Sequence, residues 1–213
     1  MTENILITGA GRGIGRQLAL TFAAQGYSLA LNDISPINVE EVAAQIGGGT
    51  RVFVQDISKK VTVQALANEI SDELGALSAV IHCARVEPRA AALEMDEWDL
   101  HRVFEVNTIG TFLMIQTFGR MLRPQGGGVF LSVFPLAGRE TGQAAAFLAS
   151  QMALPTLIRS AAPELAAAKV RLYGLTSGLP QTLTDAHSFA DLPSAALALC
   201  RNPNFSAGSV FGF

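Results

Sequence analysis

Seven short apolar runs, separated by longer stretches with helical spacing, constrain this chain more than any other feature. They are NILIT (4 to 8), YSLALN (27 to 32), RVFVQ (51 to 55), SAVIHC (78 to 83), GVFLSVF (128 to 134), KVRLYGL (169 to 175) and GSVFGF (208 to 213). Each is continuously apolar rather than alternating, the pattern of strands covered on both faces. The stretches 14 to 25, 37 to 46, 60 to 74, 96 to 122, 143 to 168 and 189 to 200 have the length and periodicity of helices. Strands alternating with helices predict right-handed βαβ units, and so an α/β fold with a doubly wound, parallel, seven-stranded sheet and helices on both faces. Glycine triplets at 47 to 49 and 126 to 128 fall where turns are needed, and no linker, repeat or low-complexity tract interrupts the series, so residues 1 to 213 are expected to form a single domain.

Hydrophobic residues make up 49% of the chain and charged residues 15%, which supplies a core and leaves a charge-poor surface suited to self-association. A formal net charge of −3 gives no basic field, so neither nucleic acid nor an anionic membrane surface is an expected partner. Cys83 and Cys200 are too few for a disulfide framework and have no metal-ligand spacing; they read as small buried hydrophobes in a reducing setting, and no metal is expected. The N-terminal residues show no basic region ahead of a long apolar segment. The longest uncharged window, Thr141 to Ile158, contains Gln143, Gln151 and Pro155 and is too polar to span a bilayer. A cytoplasmic protein is expected.

The first apolar run leads directly into TGAGRGIG (8 to 15), after which the pattern turns helical at Leu18 and Phe22. Gly9, Gly13 and Gly15 at such a junction let the backbone approach a pyrophosphate, whose charge the helix N-terminus stabilises; Thr8, Arg12 and Ile14 belong to the same turn. A glycine triplet alone also marks a flexible surface turn. Its place after the first strand, at a helix start and ahead of Asp33 selects the Rossmann-like reading, with Asp33 accepting hydrogen bonds from an adenosine ribose. Asp33 repels a 2′-phosphate while Arg12 attracts one; Ile34 rather than a basic residue follows Asp33, so NAD(H) is favoured over NADP(H). Asp56, after the third run, is either an acceptor for an adenine amino group or a turn residue beside Ser58. Ile57 and Ala84, each just past a strand, complete the expected cofactor set.

The glycine spacing, Asp33, Asp56 and the segment LEMDEWDLHRVFEVNTIGTF (93 to 112) together resemble the short-chain dehydrogenase/reductase family over nearly the whole chain. Asn107, in VNTIGTF, matches the asparagine that in this family kinks a helix and holds a water in a proton relay. A purely structural Asn107 is the alternative, because asparagine inside a helix competes for backbone hydrogen bonds. KVRLYGLTSGLPQT (169 to 182) is similar to the family's strand, Pro-Gly turn and nicotinamide-gripping threonine: Gly178 and Thr182 match, and Ser177 replaces the proline. Both ends of a dinucleotide site are thus represented.

The catalytic part of the resemblance fails. The family's chemistry rests on a Tyr-x-x-x-Lys pair, and AAAFLASQMAL (144 to 154) places Phe147 at the tyrosine and Gln151 at the lysine. Counting back thirteen residues for the family's serine reaches Phe134, and counting from Gly138 reaches Pro135; Ser132 lies on the same strand face as Phe134. The Asn-x-Ala-Gly after the fourth strand has become His82-Cys83-Ala84-Arg85. Only LTDAHS separates Thr182 from the next helical stretch, which leaves little for a substrate lid.

Three readings follow. The first is a dinucleotide-binding family member without ordinary carbonyl or alcohol chemistry, serving as a cofactor sensor or as a partner of an active relative in a homo- or hetero-oligomer. The second is an NAD(P)H-dependent oxidoreductase with another proton donor: His82, Ser132, Thr141 or Tyr173, each with a structural explanation of its own. The third is a cofactor-free scaffold. The alanine-rich helix around Phe147 either packs at a subunit interface or covers its own sheet.

Overall fold

The computed structural model describes residues 3–136, 142–178, 184–185 and 189–213. Seven strands, β1 (Asn4–Thr8), β2 (Ser28–Asp33), β3 (Arg51–Val54), β4 (Ala79–His82), β5 (Gly128–Val133), β6 (Val170–Thr176) and β7 (Val210–Gly212), form one sheet. Its order is β3-β2-β1-β4-β5-β6-β7 and every pairing is parallel. The order reverses between β1 and β4, where the carboxyl ends of two strands part and leave a crevice. Helices α1 (Gly13–Ala24), α2 (Pro36–Ile46), α3 (Lys60–Leu74), α4 (Glu97–Phe104), α5 (Thr111–Leu122), α6 (Ala145–Ala167) and α7 (Leu192–Arg201) cover the two faces.

Alternate residues of each strand feed two cores. Ile5, Ile7, Leu29, Leu31 and Leu131 pack toward α1, α2 and α7, whereas Leu6, Ala30, Val80, Phe130 and Leu172 pack toward α3, α5 and α6. Burial on both faces explains why β1, β2, β4, β5 and β6 read as unbroken apolar runs; β3, at the sheet edge, departs from that expectation, with Arg51 and Val54 exposed and only Phe53 fully buried. None of the described helices is long and apolar enough to cross a membrane.

The expected helix over 96 to 122 is broken. Glu105–Gly110 forms a π-helical segment between α4 and α5. Two packing events accompany this bulge. Asn107 turns its amide out of the helix to meet Val86, and Gly110 lies so close to Ile57 that a Cβ there would stand 2.5 Å from its Cδ1. Helix α6 buries Phe147, Ser150, Gln151, Leu154 and Ile158 against its own chain, so this stripe is core. The boundary over 189 to 200 moves to Leu192, where the Asp191 side chain caps the helix by accepting from Ser194 N at 2.8 Å.

Candidate cofactor cleft and catalytic helix

The turn after β1 is dictated by close approach. A Cβ on Gly15 would lie 2.0 Å from the Gly9 carbonyl oxygen, and one on Gly9 would lie 2.7 Å from Ala84 Cα, with Gly9 at φ +64°. Gly13 differs: at φ +55° its absent Cβ would meet nothing within 4 Å. Helix α1 begins there without any side-chain cap, so its first-turn N–H groups are left for another acceptor.

A cleft of about 420 Å³ opens at this point, within the size range of small-molecule sites. Gly9, Arg12, Gly13, Gly15, Asp33, Asp56, Ile57 and Ala84, all expected from the sequence to touch a cofactor, line it together. Thr8 sits behind it, fully buried, and Ile14 packs on the core. Gly178 lies beyond β6 and does not line this cleft. Thr182 and Thr141 fall outside the described residues, as does most of LTDAHS (183 to 188), the stretch expected to leave little for a lid.

The two aspartates are already engaged. Asp33 Oδ2 accepts from Gly11 N at 2.9 Å and Oδ1 from Ser35 N at 3.0 Å, tying the glycine turn to the end of β2. Asp56 Oδ1 accepts from Ser58 N at 2.9 Å and Oδ2 from the Arg102 guanidinium at 2.9 Å. Burial works against the Asp56 charge, but the bonds from Ser58 and Arg102 outweigh it and hold the carboxyl below its usual range. Asp56 is therefore a turn residue beside Ser58 that also faces the cleft. Sequence reasoning passed over Arg102, which lies 46 residues further along the chain and meets Asp56 only through the fold.

His82 stands in a directed chain of buried hydrogen bonds. Thr111 Oγ1 donates to Asn107 O at 2.6 Å, so it accepts from His82 Nε2–H at 3.1 Å. His82 Nδ1 then accepts from the Thr8 hydroxyl at 2.8 Å, and Thr8 Oγ1 accepts from the Cys83 and Ala84 amides. Burial of the ring lowers its pKa to about 4. The imidazole is neutral and fully bonded, the structural alternative for this residue. Because the folded value lies below 6.5, the unfolded chain takes up the proton first as pH falls; stability present above pH 6.5 is lost toward pH 4, by about 3 kcal/mol. Urea unfolding between those pH values should show this slope, and His82→Leu should flatten it while weakening the protein at neutral pH.

Asn107 is held on three sides. It accepts from Val86 N at 2.9 Å, donates to Val86 O at 2.9 Å and donates to Ser150 Oγ at 2.9 Å. The β4–α4 loop is thereby pinned to the π-segment and to α6. Ser132 is enclosed on the sheet face it shares with His82, and its Oγ has no hydrogen-bond partner among the described residues. Ser132→Ala is therefore expected to leave the melting temperature unchanged or raise it, since it removes an unpaired buried hydroxyl; a fall of several degrees would reveal a missed partner. Tyr173 lies on the opposite face and donates to Phe205 O at 2.9 Å, away from the cleft.

Phe147 is 0% exposed and Gln151 2% exposed, one turn apart on α6. Neither lines the cleft, nor do Asn107 and Ser132. Eight of the expected cofactor residues thus converge, whereas Phe147 and Gln151 are buried in the core.

The model of the short-chain dehydrogenase family matches residues 3–192, and the chain belongs to that family. Among its relatives, D-threitol dehydrogenase of Mycolicibacterium smegmatis is 34% identical over 131 residues, 60% of this chain and 50% of that protein. The 7alpha-hydroxysteroid dehydrogenase of Escherichia coli is 29% identical over 185 residues, 85% of this chain and 71% of that one. A 17-beta-hydroxysteroid dehydrogenase 13 of Rattus norvegicus is matched over 46% of its length, so the chain spans about half of some curated relatives. The 3-ketoacyl-(acyl-carrier-protein) reductase of Brucella melitensis, solved with NADH, superposes with a TM-score of 0.84 at 25% identity over 99% of this chain and 96% of that one. An NAD+-bound xylitol dehydrogenase shares the fold, with a TM-score of 0.85 at 20% identity.

Proposed function

We propose that this chain is a single-domain nicotinamide dinucleotide-binding protein that favours NAD(H) over NADP(H) and does not carry out ordinary carbonyl reduction or alcohol oxidation. The observation that carries this reading is the separation of two sets of residues. The glycine turn, Asp33, Asp56 and Ala84 share one cleft at the sheet's switch point, whereas Phe147 and Gln151, which the resemblance aligns with the family's tyrosine and lysine, are buried outside it. General acid–base help contributes about 10²- to 10⁴-fold to rate, and neither of these two side chains transfers a proton at neutral pH. When bound, the dinucleotide supplies hydride chemistry. This chain's part is to hold the pyrophosphate on the uncapped start of α1 and the adenosine end beside Asp33 and Asp56. Asp33 supports NAD(H) because a carboxylate in the cleft lining would repel a 2′-phosphate, with Arg12 in the same lining as the opposing influence.

A role as cofactor sensor, or as partner of an active relative, fits the apolar side chains left on the surface. Ile109 on the π-segment, Phe112 on α5 and Met152 on α6 are 51%, 48% and 40% exposed. Titration with NADH and, separately, NADPH, read by fluorescence or calorimetry, tests the reading: NADH is expected to bind more tightly, with no turnover of simple ketones. Failure of both to bind would leave a scaffold. Ketone reduction by the wild-type protein would instead establish an enzyme with another donor, the reading favoured by the relatives' names as dehydrogenases.

A further inference from the structure

The adenosine end of the cleft contains a charge cluster whose chemistry goes beyond dinucleotide binding in general. The Arg102 guanidinium donates to Asp56 Oδ2 at 2.9 Å, to Ser58 Oγ at 2.8 Å and to Glu105 Oε2 at 3.0 Å. Lys59 pairs with the other oxygen of Glu105. Two cations thus face two carboxylates, and the cluster carries no net charge with which to attract an anion.

What this arrangement does control is the direction of one carboxylate. An ionised carboxylate only accepts, through about four lone-pair positions on two oxygens. Ser58 N occupies one position on Oδ1 and Arg102 one on Oδ2, and the Ser58 side chain also bonds the carboxylate, so of about four acceptor positions one is left for a ligand. Rotation of the carboxylate would break both bonds. Arg102 is fixed in turn by Ser58 and by Glu105, the first residue of the π-segment that carries Asn107. Asp56 and Arg102 are 29% and 22% exposed, open to the cleft on one side and enclosed on the other.

We propose that Arg102 is a positioning residue for base recognition: it locks Asp56 as a pure acceptor facing the cleft, so that the site selects a base edge with an exocyclic amino group over one with a carbonyl. This rests on the dinucleotide reading and adds a base selectivity that the reading does not require. An amino group finds the free acceptor position; a carbonyl oxygen meets a carboxylate oxygen with no proton between them, and both are left unpaired.

The test compares binding of NADH with that of reduced nicotinamide hypoxanthine dinucleotide, which has a carbonyl in place of the adenine amino group, on the full chain by calorimetry. The wild type is expected to prefer NADH by roughly tenfold, the scale of one mismatched hydrogen-bonding edge at a half-open site. R102L should reduce the preference to within about twofold, mostly through weaker NADH binding. D56N should do the same, and the double variant should lose nothing further, as expected of residues acting as one unit. R102K keeps the charge without the planar fork, should give an intermediate preference, and carries the test if R102L does not fold. A purely structural Arg102 would weaken both dinucleotides equally and leave the ratio unchanged. A retained tenfold preference in R102L or R102K, or no preference in a wild type that binds both, overturns the inference alone. A wild type that binds neither overturns the dinucleotide reading, and the inference with it.

Discussion

Gly15→Ala is expected to lower the melting temperature by roughly 6–12 °C, whereas Gly13→Ala, two residues away in the same turn, should lower it by only about 2–4 °C. The added methyl at Gly15 would stand 2.0 Å from the Gly9 carbonyl oxygen and 3.1 Å from Ala10 Cα, all of it backbone. No rotamer relieves such a contact, so α1 must shift away from β1 at a cost of about 3 kcal/mol, the upper end for overpacking. At Gly13 the methyl meets no atom within 4 Å, and the cost is the left-handed backbone alone, about 1 kcal/mol net of the entropy alanine removes from the unfolded chain. Differential scanning calorimetry of the two variants checks this. Equal melting would mean that the turn is not packed as described. The contrast bears on function as well, because Gly9 and Gly15 are required by architecture whether or not a ligand binds. Gly13 lines the cleft and is the glycine whose side-chain space is empty, so Gly13→Ala should weaken NADH at least tenfold while leaving the fold intact.

The double variant Phe147→Tyr/Gln151→Lys is expected to lose stability rather than gain strong reductase activity. Phe147 is 0% exposed, and a hydroxyl placed there without a designed partner costs about 1–3 kcal/mol. Gln151 is 2% exposed, and a lysine there either buries its charge or sheds its proton, at a cost of several kcal/mol either way. Together the two substitutions should lower the melting temperature by about 10 °C or more. Placing a tyrosine and a lysine at these positions does not by itself make a site, because both positions lie in the core. Following loss of reduced nicotinamide absorbance with a simple ketone decides the matter. Brisk turnover would mean that α6 opens toward the cleft and that the burial of Phe147 is not the barrier.

The outline of this fold was legible because its signals are local and repeat. Ile5, Leu6 and Ile7 are all buried, one set on each face, and that alone makes β1 an unbroken apolar run. The turn was legible for a related reason: a glycine with φ above zero, or with another backbone against its Cα, announces itself one residue at a time, as Gly9 does. That Phe147 and Gln151 carry no group able to transfer a proton at neutral pH was also visible, since residue identity needs no geometry to be read.

What the tertiary structure alone decided are pairings between residues far apart in the chain. Thr8 meets His82 across 74 residues, Asn107 meets Ser150 across 43, and Asp56 meets Arg102 across 46. A periodic pattern says which face of an element is buried but not which polar group waits on the element opposite. Asp56 was therefore readable as an acceptor and not as one already held by an arginine, and His82 as titratable but not as a neutral ring closed between two threonines. The π-segment has the same origin: nothing in EVNTIG forbids a regular helix, and the accompanying contacts of Asn107 with Val86 and of Gly110 with Ile57 exist only once the sheet has brought those loops together. Local periodicity determined the architecture and the place of the cleft; long-range packing decided the protonation, the bonding and the burial of the groups that line it or lie in the core behind it.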